Sequence, residues 1–486
     1  MNELAKRFAE TTQPRVERLL LTALGGILLG CFVLLIVQLP QKFIYFLVGG
    51  PVILLVAIAS GRFKRFFQGL LIFIIPLNYS THFFRRPYKF DTTTGLDFSP
   101  LDIILIVLYA IWIYELVFKK SNRIHFLPKF TIPAFCLVGI SALSMIPAAD
   151  PYLTLFATVR IFKAVLLAFY IANHFQSKKD ISFALVLLLG GLFLQSMIAF
   201  SQKWLGISLG LHLFGEYREM LTVPLAGDYN VDVSRVGGTI GHPNGLAKYV
   251  ELLLPLTVVM LFTEIKLKTK LVAGLIFVCA FVVLLLTLSR GGWTCFAGSI
   301  VLVFLLIFRA RLISLRSLFV IAVVIVLLGS AMVSFSGMVQ ARLISDDYGA
   351  ARGRIPLNRL AFAVIRANPY LGVGNLNLWK VRYLYNPNLV GMKAEQVIHN
   401  AYLAVAAEMG IPGLLIFIWL LASIFLQGLG NLKKKDTFLI CVSIGILGGM
   451  AALWAHWLVD PAYIGREAFL WVLVGLLLAS KKAPVK

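Results

Sequence analysis

Charged residues are scarce in this chain of 486 residues, since Asp, Glu, Lys and Arg together make up only 14% of it. A soluble protein usually carries about 25% charged residues. Hydrophobic residues make up 59% of the chain, so its surface cannot stay dispersed in water. The composition excludes a soluble protein and predicts an integral membrane protein whose surroundings are membrane lipids.

Acidic residues are scarcer than basic ones: 45 Lys and Arg against 22 Asp and Glu give a formal net charge of +23. In a soluble protein such an excess would suggest nucleic-acid binding. In a membrane protein the basic residues instead indicate which loops face the cytoplasm. We therefore expect no nucleic-acid partner.

Cysteine is also rare, and its pattern excludes two kinds of site. The five cysteines all lie within apolar runs, and none belongs to a CxxC pair. We therefore expect packed thiols, with neither disulfides nor a metal cluster. The first apolar run lacks a small-residue cleavage site, which predicts a retained first helix.

Long apolar runs are abundant. A helix that crosses a bilayer needs about 20 mostly apolar residues. Fourteen runs approach this length, at 18–39, 43–60, 68–80, 100–118, 130–147, 154–174, 181–204, 245–263, 271–289, 293–308, 318–336, 400–427, 437–457 and 467–480. They predict an all-α polytopic membrane protein of about 12 to 14 transmembrane helices, arranged as a single membrane domain over residues 1–486.

The segments between these runs alternate in character along the chain. One set is short and basic, at 62–65, 119–123, 178–179, 266–270, 309–316, 433–435 and 481–486. The positive-inside rule assigns this set and both chain termini to the cytoplasm. The opposite, outer side holds three longer loops, at 81–99, 205–243 and 337–399. We expect the functional sites to lie in these loops and at the adjoining helix ends.

The outer loop 337–399 is basic and contains a predicted amphipathic helix. Pro356 suits the first turn of this helix, and Arg359 and Arg366 share one face because they are seven residues apart. The apolar stripe consists of Leu357, Leu360, Ala361, Val364 and Ile365. Such a helix would lie at the outer interface, with its arginines turned either towards an anionic ligand or towards lipid phosphates.

His399 stands at the end of this loop, before a membrane helix that Asn400 can cap. A histidine can titrate near neutrality and act as a general base, while capping or packing is the alternative role. Glu408 lies nine residues further on, within the apolar run. A carboxylate inside a membrane span requires a partner, so we expect Glu408 to be paired.

Arginines stand at two further outer turns. Arg235 precedes a glycine-rich turn, and Pro243 and Asn244 begin the next helix, whose N-terminus attracts anions. Arg290 lies in the tight hairpin LSRGG between two long apolar helices. There it either snorkels to the interface or neutralises an anionic group.

Arg160 and Lys163 stand about two turns inside a membrane helix. Cations at this depth line a polar cavity, meet a phosphate or form an ion pair, although the sequence offers few carboxylates nearby. His456 and Asp460, one turn apart at an outer helix end, are expected to be structural.

In their order and spacing these segments resemble a known family. The series is an arginine followed by GHPNGLA, then LSRGGW, then RLAFAVIRANPYLGVG, and finally HNAYLAVAAEMGIPG. It is similar to the superfamily of O-antigen ligases and Wzy-type polymerases, from about residue 230 to 427. The N-terminal half resembles that superfamily only as a set of membrane helices.

The resemblance implies an enzyme of the bacterial inner membrane that acts on the periplasmic side by metal-independent, inverting glycosyl transfer, with no cofactor. The donor would be a glycan carried on undecaprenyl pyrophosphate, and in a ligase the acceptor is a sugar hydroxyl of the lipid A core. By resemblance, His399 activates this hydroxyl and Arg235 and Arg290 bind the diphosphate, with Arg160 as a further member. Arg352 and Arg359 are assigned to phosphate or acceptor binding.

The implied chemistry agrees with the residues present. Arginines can stabilise a diphosphate leaving group in bidentate fashion without a metal. The outer loops carry no Asp-rich metal motif, and Asp346 and Asp347 are the nearest approach to one.

Three other functions compete with the ligase. A polymerase would use the same donor and differ only in its acceptor, which is another lipid-linked glycan. A transporter would require broken helices near mid-membrane and inverted repeats, and neither is apparent in the sequence. A non-catalytic scaffold would leave the buried cations unexplained. The ligase is the favoured prediction.

Overall fold

The computed structural model describes residues 22–26, 44–77, 79–89, 92–119, 124–224, 232–312, 315–344, 350–386, 398–461 and 464–481. The chain forms two compact units, Met1–Phe66 and Phe67–Lys486. The first unit contains helix α1 (Ile44–Ala59). Every predicted site residue lies in the second unit.

Helices make up 74% of the structure and strands 4%. The helices that follow α1 are α2 (Phe63–Phe73), α3 (Pro100–Tyr114), α4 (Pro128–Leu143), α5 (Pro151–His174), α6 (Lys178–Leu205), α7 (Pro243–Met260), α8 (Leu267–Leu286), α9 (Arg290–Arg309), α10 (Leu315–Ser334), α11 (Ser336–Ile344), α12 (Ala350–Ala367), α13 (Leu378–Tyr385), α14 (Ala401–Asn431), α15 (Thr437–His456) and α16 (Ala468–Ser480). A π-helical turn, Glu115–Lys119, extends α3.

Within the described residues, seven helices are long and apolar enough to cross a membrane: α3 with its π-helical turn, α5, α6, α8, α9, α14 and α15. Shorter apolar helices lie at Gly50–Ala59, Pro128–Leu143, Ile321–Ser330 and Ala468–Ser480. The predicted all-α polytopic membrane fold is confirmed.

The number of spans stays a prediction. The first predicted run, 18–39, lies almost wholly outside the described residues. The third run corresponds to α2, whose 11 residues cover only about 16 Å, too short to cross a bilayer.

Contacts between helix ends follow the predicted alternation. The N–H of Ala401, at the start of α14, donates to the carbonyl of Trp457, at the end of α15, at 2.8 Å. Lys178, at the start of α6, has its Nζ 3.0 Å from Oδ2 of Asp436, which caps α15. The first pair lies at predicted outer ends and the second at predicted inner ends. Which of these sides is cytoplasmic stays a prediction.

Helix α7 is buried by its protein neighbours along most of its length, and α15 is the closest of them. At Gly449 of α15 a Cβ would overlap the backbone carbonyl of Leu252 in α7. Small residues permit such close approach between helices. Ser299 of α9 donates from Oγ to the carbonyl of Gly448 at 2.8 Å, which ties α9 to the same group. The polar groups of α7 therefore face protein and not lipid.

Helix α14 is broken at Gly410, where φ is 75° and ψ is 176°. The loop after α12 fills the break, because the N–H groups of Val373 and Gly374 donate to the carbonyls of Ala407 and Glu408, at 3.1 and 3.0 Å. The N–H of Ile411 in turn donates to the carbonyl of Pro369 at 2.7 Å. The backbone groups that a break would leave unpaired are thus satisfied.

This break corrects two predictions. A broken helix is present, whereas none was predicted from the sequence. Glu408 lies at the end of the first half-helix, against the loop that fills the break, and not in the middle of a continuous span. The second half, 411–431, is about 31 Å long and is itself sufficient to cross a bilayer.

Two of the loops predicted to be outer contain strands that the sequence did not predict. Strands β1 (Thr81–Lys89) and β2 (Thr92–Phe98) form an antiparallel hairpin in the loop 81–99, with Thr81 opposite Phe98. Strands β3 (Thr222–Pro224) and β4 (Asp232–Ser234) form a second antiparallel pair in the loop 205–243. Both pairs are short, so the fold remains predominantly helical.

Gly410→Ala is expected to destabilise the protein, because a side chain at this φ costs about 1–2 kcal/mol even before steric overlap. A Cβ at this position would overlap the carbonyl of Tyr370. Gly430→Ala in the same helix is the control, since a Cβ there meets nothing within 4 Å. Thermal unfolding in detergent should show a lower melting temperature for the first variant only. Equal melting temperatures would contradict the assigned role of the break.

Candidate functional site

The turn between α8 and α9, residues 287–290, is buried and strained, and we call it the arginine turn. Leu288 has a φ of 52° and is only 1% exposed. Ser289 caps α9 by accepting a hydrogen bond from the N–H of Gly292. A non-glycine residue in the left-handed region costs about 1–2 kcal/mol, so surrounding contacts must hold this turn in place. The predicted tight hairpin is confirmed.

Three arginines from distant parts of the chain meet at the arginine turn. Arg235 donates from Nε to the carbonyl of Thr287 at 2.7 Å, and Arg342 donates from Nε to the carbonyl of Leu288 at 3.2 Å. Arg290 is the first residue of α9 and is half-buried. Arg235 and Arg342 are 9% and 4% exposed. The structure thus brings two of the predicted site residues together and adds a third arginine.

Arg235 also begins a buried charge network, formed with Asn244, Lys248, Asp460 and Glu467. Its Nη2 donates to Oδ1 of Asn244 at 2.7 Å, and Nδ2 of Asn244 donates to Oδ1 of Asp460 at 3.1 Å. Nζ of Lys248 lies 3.0 Å from Oδ2 of Asp460 and 3.3 Å from Oε1 of Glu467. Two positive and two negative side chains therefore balance each other where α7 meets the segment between α15 and α16.

The Asp460 carboxyl shows the electrostatic effect of this balance. Burial by itself would raise its pKa, but the charges of Lys248 and His456, with hydrogen bonds from Lys248 and Asn244, bring it below the usual range. Asp460 therefore stays ionised in the network. An ionised carboxylate at 5% exposure requires this compensation.

The residues next to His399 are hydrogen-bonded to the end of α15 and the segment between α15 and α16. His399 precedes Asn400, whose side chain caps α14 as predicted. The next N–H, of Ala401, donates to the carbonyl of Trp457, and Nε1 of Trp457 donates to Oε2 of Glu467 at 3.2 Å. The start of α14 and the buried charge network are therefore held to one another through Trp457.

His242 lies in the electrostatic field of both predicted groups. Burial lowers its pKa to about 4; Asp460 opposes this effect, and Arg235, Lys248 and His399 add to it. His242 is therefore neutral at pH 7. Arg235 and His399, which are far apart in the sequence, both lie close enough to act on one imidazole ring.

A second buried pair supports the arginine turn from behind. Nδ1 of His456 lies 2.9 Å from Oε1 of Glu251, and these residues are 2% and 0% exposed. A Cβ at Gly291, next to Arg290, would lie 2.7 Å from Nε2 of His456. The expected structural role of His456 and Asp460 agrees with these contacts.

Arg160 lies in a separate group, in the N-terminal half of α5. It forms an ion pair with Asp97 of β2 and donates from Nη2 to Oγ1 of Thr94 at 3.0 Å. Nζ of Lys163 lies 3.0 Å from Oδ2 of Asp102. The sequence did not indicate which carboxylates pair with these cations. They are Asp97, from the hairpin of β1 and β2, and Asp102, from the first turn of α3. The structure does not bring Arg160 to the arginine turn.

The predicted amphipathic helix is α12, and its apolar stripe packs against the protein itself. Leu357, Leu360, Ala361 and Val364 are buried against a cluster that contains Val373, Leu378, Ile398 and Ala407. The helix begins at Ala350, so the prediction that Pro356 lies in the first turn is wrong.

Arg359 and Arg366 are exposed on the outside of α12. The side chain of Arg352 and the residues Asp346 and Asp347 lie outside the described part of the chain.

Sequence reasoning missed the residues that hold the site together. Lys248 and Glu251 are two charges inside an otherwise apolar helix, which was a usable signal. Asn244 was recognised only as a helix start, and Arg342 only as part of a basic loop. Apart from the contact between Asn244 and Arg235, their partners come from segments more than 50 residues away, and spacing along the chain does not indicate such pairs.

Lys248→Gln should lower the free energy of unfolding by about 3–5 kcal/mol, because it leaves two buried carboxylates without a cation. The pKa of Asp460 is lowered in the folded protein, so its ionised form stabilises the fold. This contribution to the free energy of unfolding is fully present above about pH 4 and is lost as the pH falls further. Thermal unfolding across this range measures both effects. Lys268→Gln, at an exposed position of α8, is the charge-matched control and should change little. An equal effect of the two substitutions would contradict the network.

Comparison with known proteins bears on the C-terminal half of the chain. A comparison with curated protein sequences found no match. A family model described as O-antigen ligase matches residues 275–418. This stretch contains Arg290, Arg342, Arg359 and His399, whereas Arg160 and Arg235 precede it. The resemblance drawn from the motifs to O-antigen ligases and Wzy-type polymerases is confirmed over this stretch.

Proposed function

We propose that this protein is a glycosyltransferase of the bacterial inner membrane that moves a glycan from undecaprenyl pyrophosphate to a sugar hydroxyl of the lipid A core, on the periplasmic side. The observation that carries the proposal is the meeting of Arg235, Arg290 and Arg342 at the arginine turn. The start of α14, directly after His399, is linked to Arg235 through Trp457 and the buried charge network. The match to the O-antigen ligase family supports the same class of reaction.

The arginine turn suits a diphosphate leaving group. Two of its arginines are buried, and α9 begins at Arg290, so the partial positive charge of a helix N-terminus adds to the guanidinium charges. Guanidinium groups bind phosphate oxygens in bidentate fashion, and they stabilise charge strongly where water is excluded. We assign Arg235 and Arg290 to the donor diphosphate and add Arg342.

His399 is a better candidate for the general base than His242. Nδ1 of His242 accepts the N–H of Asn244 at 3.0 Å, so the proton of this neutral ring is on Nε2. Its pKa of about 4 also makes His242 a weak base. His242 is suited to donate a hydrogen bond from Nε2, and the proton of the acceptor hydroxyl goes to His399.

The proposed step is a single displacement. The acceptor oxygen forms a bond to the anomeric carbon of the donor glycan while the bond from that carbon to the diphosphate oxygen breaks. The hydroxyl proton passes to His399, and undecaprenyl pyrophosphate leaves with the bonding electron pair. Attack opposite the leaving group inverts the anomeric centre. The charge that develops on the diphosphate is stabilised by the arginines.

Arg352 and Arg359 are proposed to contact the acceptor, since both belong to α12. Arg160 is proposed only as a distant contributor, because Asp97 already neutralises it. The broken helix α14 gives no support to a transporter, since the loop that follows α12 fills the break. A polymerase that uses the same donor remains the second candidate function.

The deciding experiment is transfer by the purified full-length protein in detergent with EDTA, from an undecaprenyl-pyrophosphate glycan. One reaction contains lipid A core and the other only additional donor. A single product on lipid A core would support the ligase, and a ladder of longer lipid-linked glycans would make the protein a polymerase. If folded protein forms no product with either acceptor, the proposed function is wrong.

His399→Ala should abolish transfer, with a loss of at least about 100-fold, because the acceptor hydroxyl loses its base. The melting temperature and membrane insertion should not change. His212→Ala, at an exposed histidine of another outer loop, is the control and should retain full activity. If His399→Ala lost folding and activity together, the histidine would instead have a capping or packing role.

Arg290→Lys should impair donor binding although it keeps the charge, because an ammonium group does not replace the planar guanidinium fork. We expect KM for the donor to rise on the order of 10-fold. Arg366→Lys, at an exposed position of α12, is the matched control. Normal donor kinetics for Arg290→Lys would remove this residue from the site.

A further inference from the structure

The hairpin of β1 and β2 carries an irregularity that presents two kinds of side chain to the outside. The register of the two strands shifts between Phe83 and Arg86. Phe84, within the shift, has a φ of 52° and is 77% exposed. Arg85, beside it, is also exposed. A bulky residue held in the left-handed region is strained, and such strain is characteristic of binding sites.

The cations around this bulge are not all neutralised. Asp97 pairs with Arg160, and Asp102 with Lys163. Arg85 donates from Nε to the carbonyl of His82 at 3.4 Å, and the Arg86 guanidinium lies 4.2 Å from the centre of the Tyr152 ring. In the part of the chain that the structure describes, no carboxylate forms an ion pair with Arg85 or Arg86. Among the described residues, two positive charges therefore remain at the bulge without a carboxylate partner.

A third arginine contributes from a distant segment. Gly465 packs against the backbone of Arg160, which brings the loop before α16 to the hairpin. Burial lowers the pKa of His82, and the charge of Arg466 is the next largest cause. His82 is therefore neutral, and Arg466 adds its charge to the field at the hairpin.

We infer that this bulge, formed by Phe84, Arg85 and Arg86 with Arg466 beside it, binds the phosphate group of a lipid at the predicted outer surface of the membrane. Arg85 and Arg86 supply forked donors that match phosphate oxygens. Phe84 supplies an apolar side chain of the kind that enters the boundary between headgroups and acyl chains. The combination fits an amphipathic lipid better than a free anion.

This phosphate site is separate from the arginine turn but is connected to it through the chain. Arg466 is followed directly by Glu467, which pairs with Lys248 in the buried charge network. The phosphate can belong to a phosphorylated glycolipid acceptor or to a phospholipid of the bilayer. The acceptor source rests on the proposed function, whereas the phospholipid source does not.

Binding of lipids to the purified full-length protein in detergent, measured by native mass spectrometry, tests the inference. The probes are diphosphoryl lipid A, the same lipid after removal of its phosphates, and phosphatidylglycerol. Arg85→Gln with Arg86→Gln should weaken binding of phosphate-bearing lipid at least about 10-fold and leave the dephosphorylated lipid unaffected. Asparagine tolerates the backbone conformation of Phe84, so Phe84→Asn should weaken the binding of both forms of lipid A without disturbing the bulge.

Lys266→Gln with Lys268→Gln, at exposed positions of the opposite predicted side, removes the same charge and should leave binding unchanged. A loss confined to diphosphoryl lipid A would identify the acceptor as the source, and an equal loss for phosphatidylglycerol would identify the bilayer. Equal binding by wild type and the double arginine variant would overturn the inference. The experiment measures lipid binding and no turnover, and the His399→Ala protein should bind lipid as wild type does. A loss of the proposed lipid site can therefore be distinguished from failure of the proposed function.

Discussion

Lys248 holds its ammonium group inside the protein between the carboxylates of Asp460 and Glu467. A cation inside a membrane protein is stable only with such partners, and each carboxylate is equally dependent on the cation. The pairing fixes α7 against the segment between α15 and α16. Close packing of α7 on α15 at Gly449 keeps lipid away from these charges. The positions of the site residues depend on this one neutralised group.

The same network also connects the side chains that are proposed to take part in the reaction. Asn244 joins Asp460 to Arg235, and Arg235 reaches the arginine turn through the carbonyl of Thr287. On the other side Glu467 holds Trp457, whose carbonyl fixes the start of α14 directly after His399. The arginines proposed to bind the donor and the proposed base are thus connected through one set of buried hydrogen bonds. Preorganisation of this kind is what electrostatic catalysis requires.

The motifs NPYLGVG and AEMGIPG pair with each other in the folded protein. The first is a loop whose N–H groups pair with the carbonyls that the break in the second exposes, and Gly410 permits the close approach. The stripe of α12 packs on the same half-helix through Ala407. These contacts pack α12 and the loop that follows it against the first half of α14 and the break. The apolar stripe of the helix that was predicted to lie at the outer interface is therefore covered by protein.

By itself the sequence determined the membrane class, the long apolar helix runs from α3 onwards, the cap at Asn400, the start of α7 at Pro243, the tight turn at Arg290 and the apolar stripe of α12. These features arise from local composition and from spacings shorter than about two helical turns. Tertiary structure alone decided which charges meet: Arg160 with Asp97, Lys248 with Asp460 and Glu467, and Arg342 with the arginine turn. It also decided the hairpins and the break at Gly410. The reason is physical, because an ion pair or a backbone hydrogen bond acts between groups that are near in space, and hydrophobic periodicity along the chain carries no information about such partners.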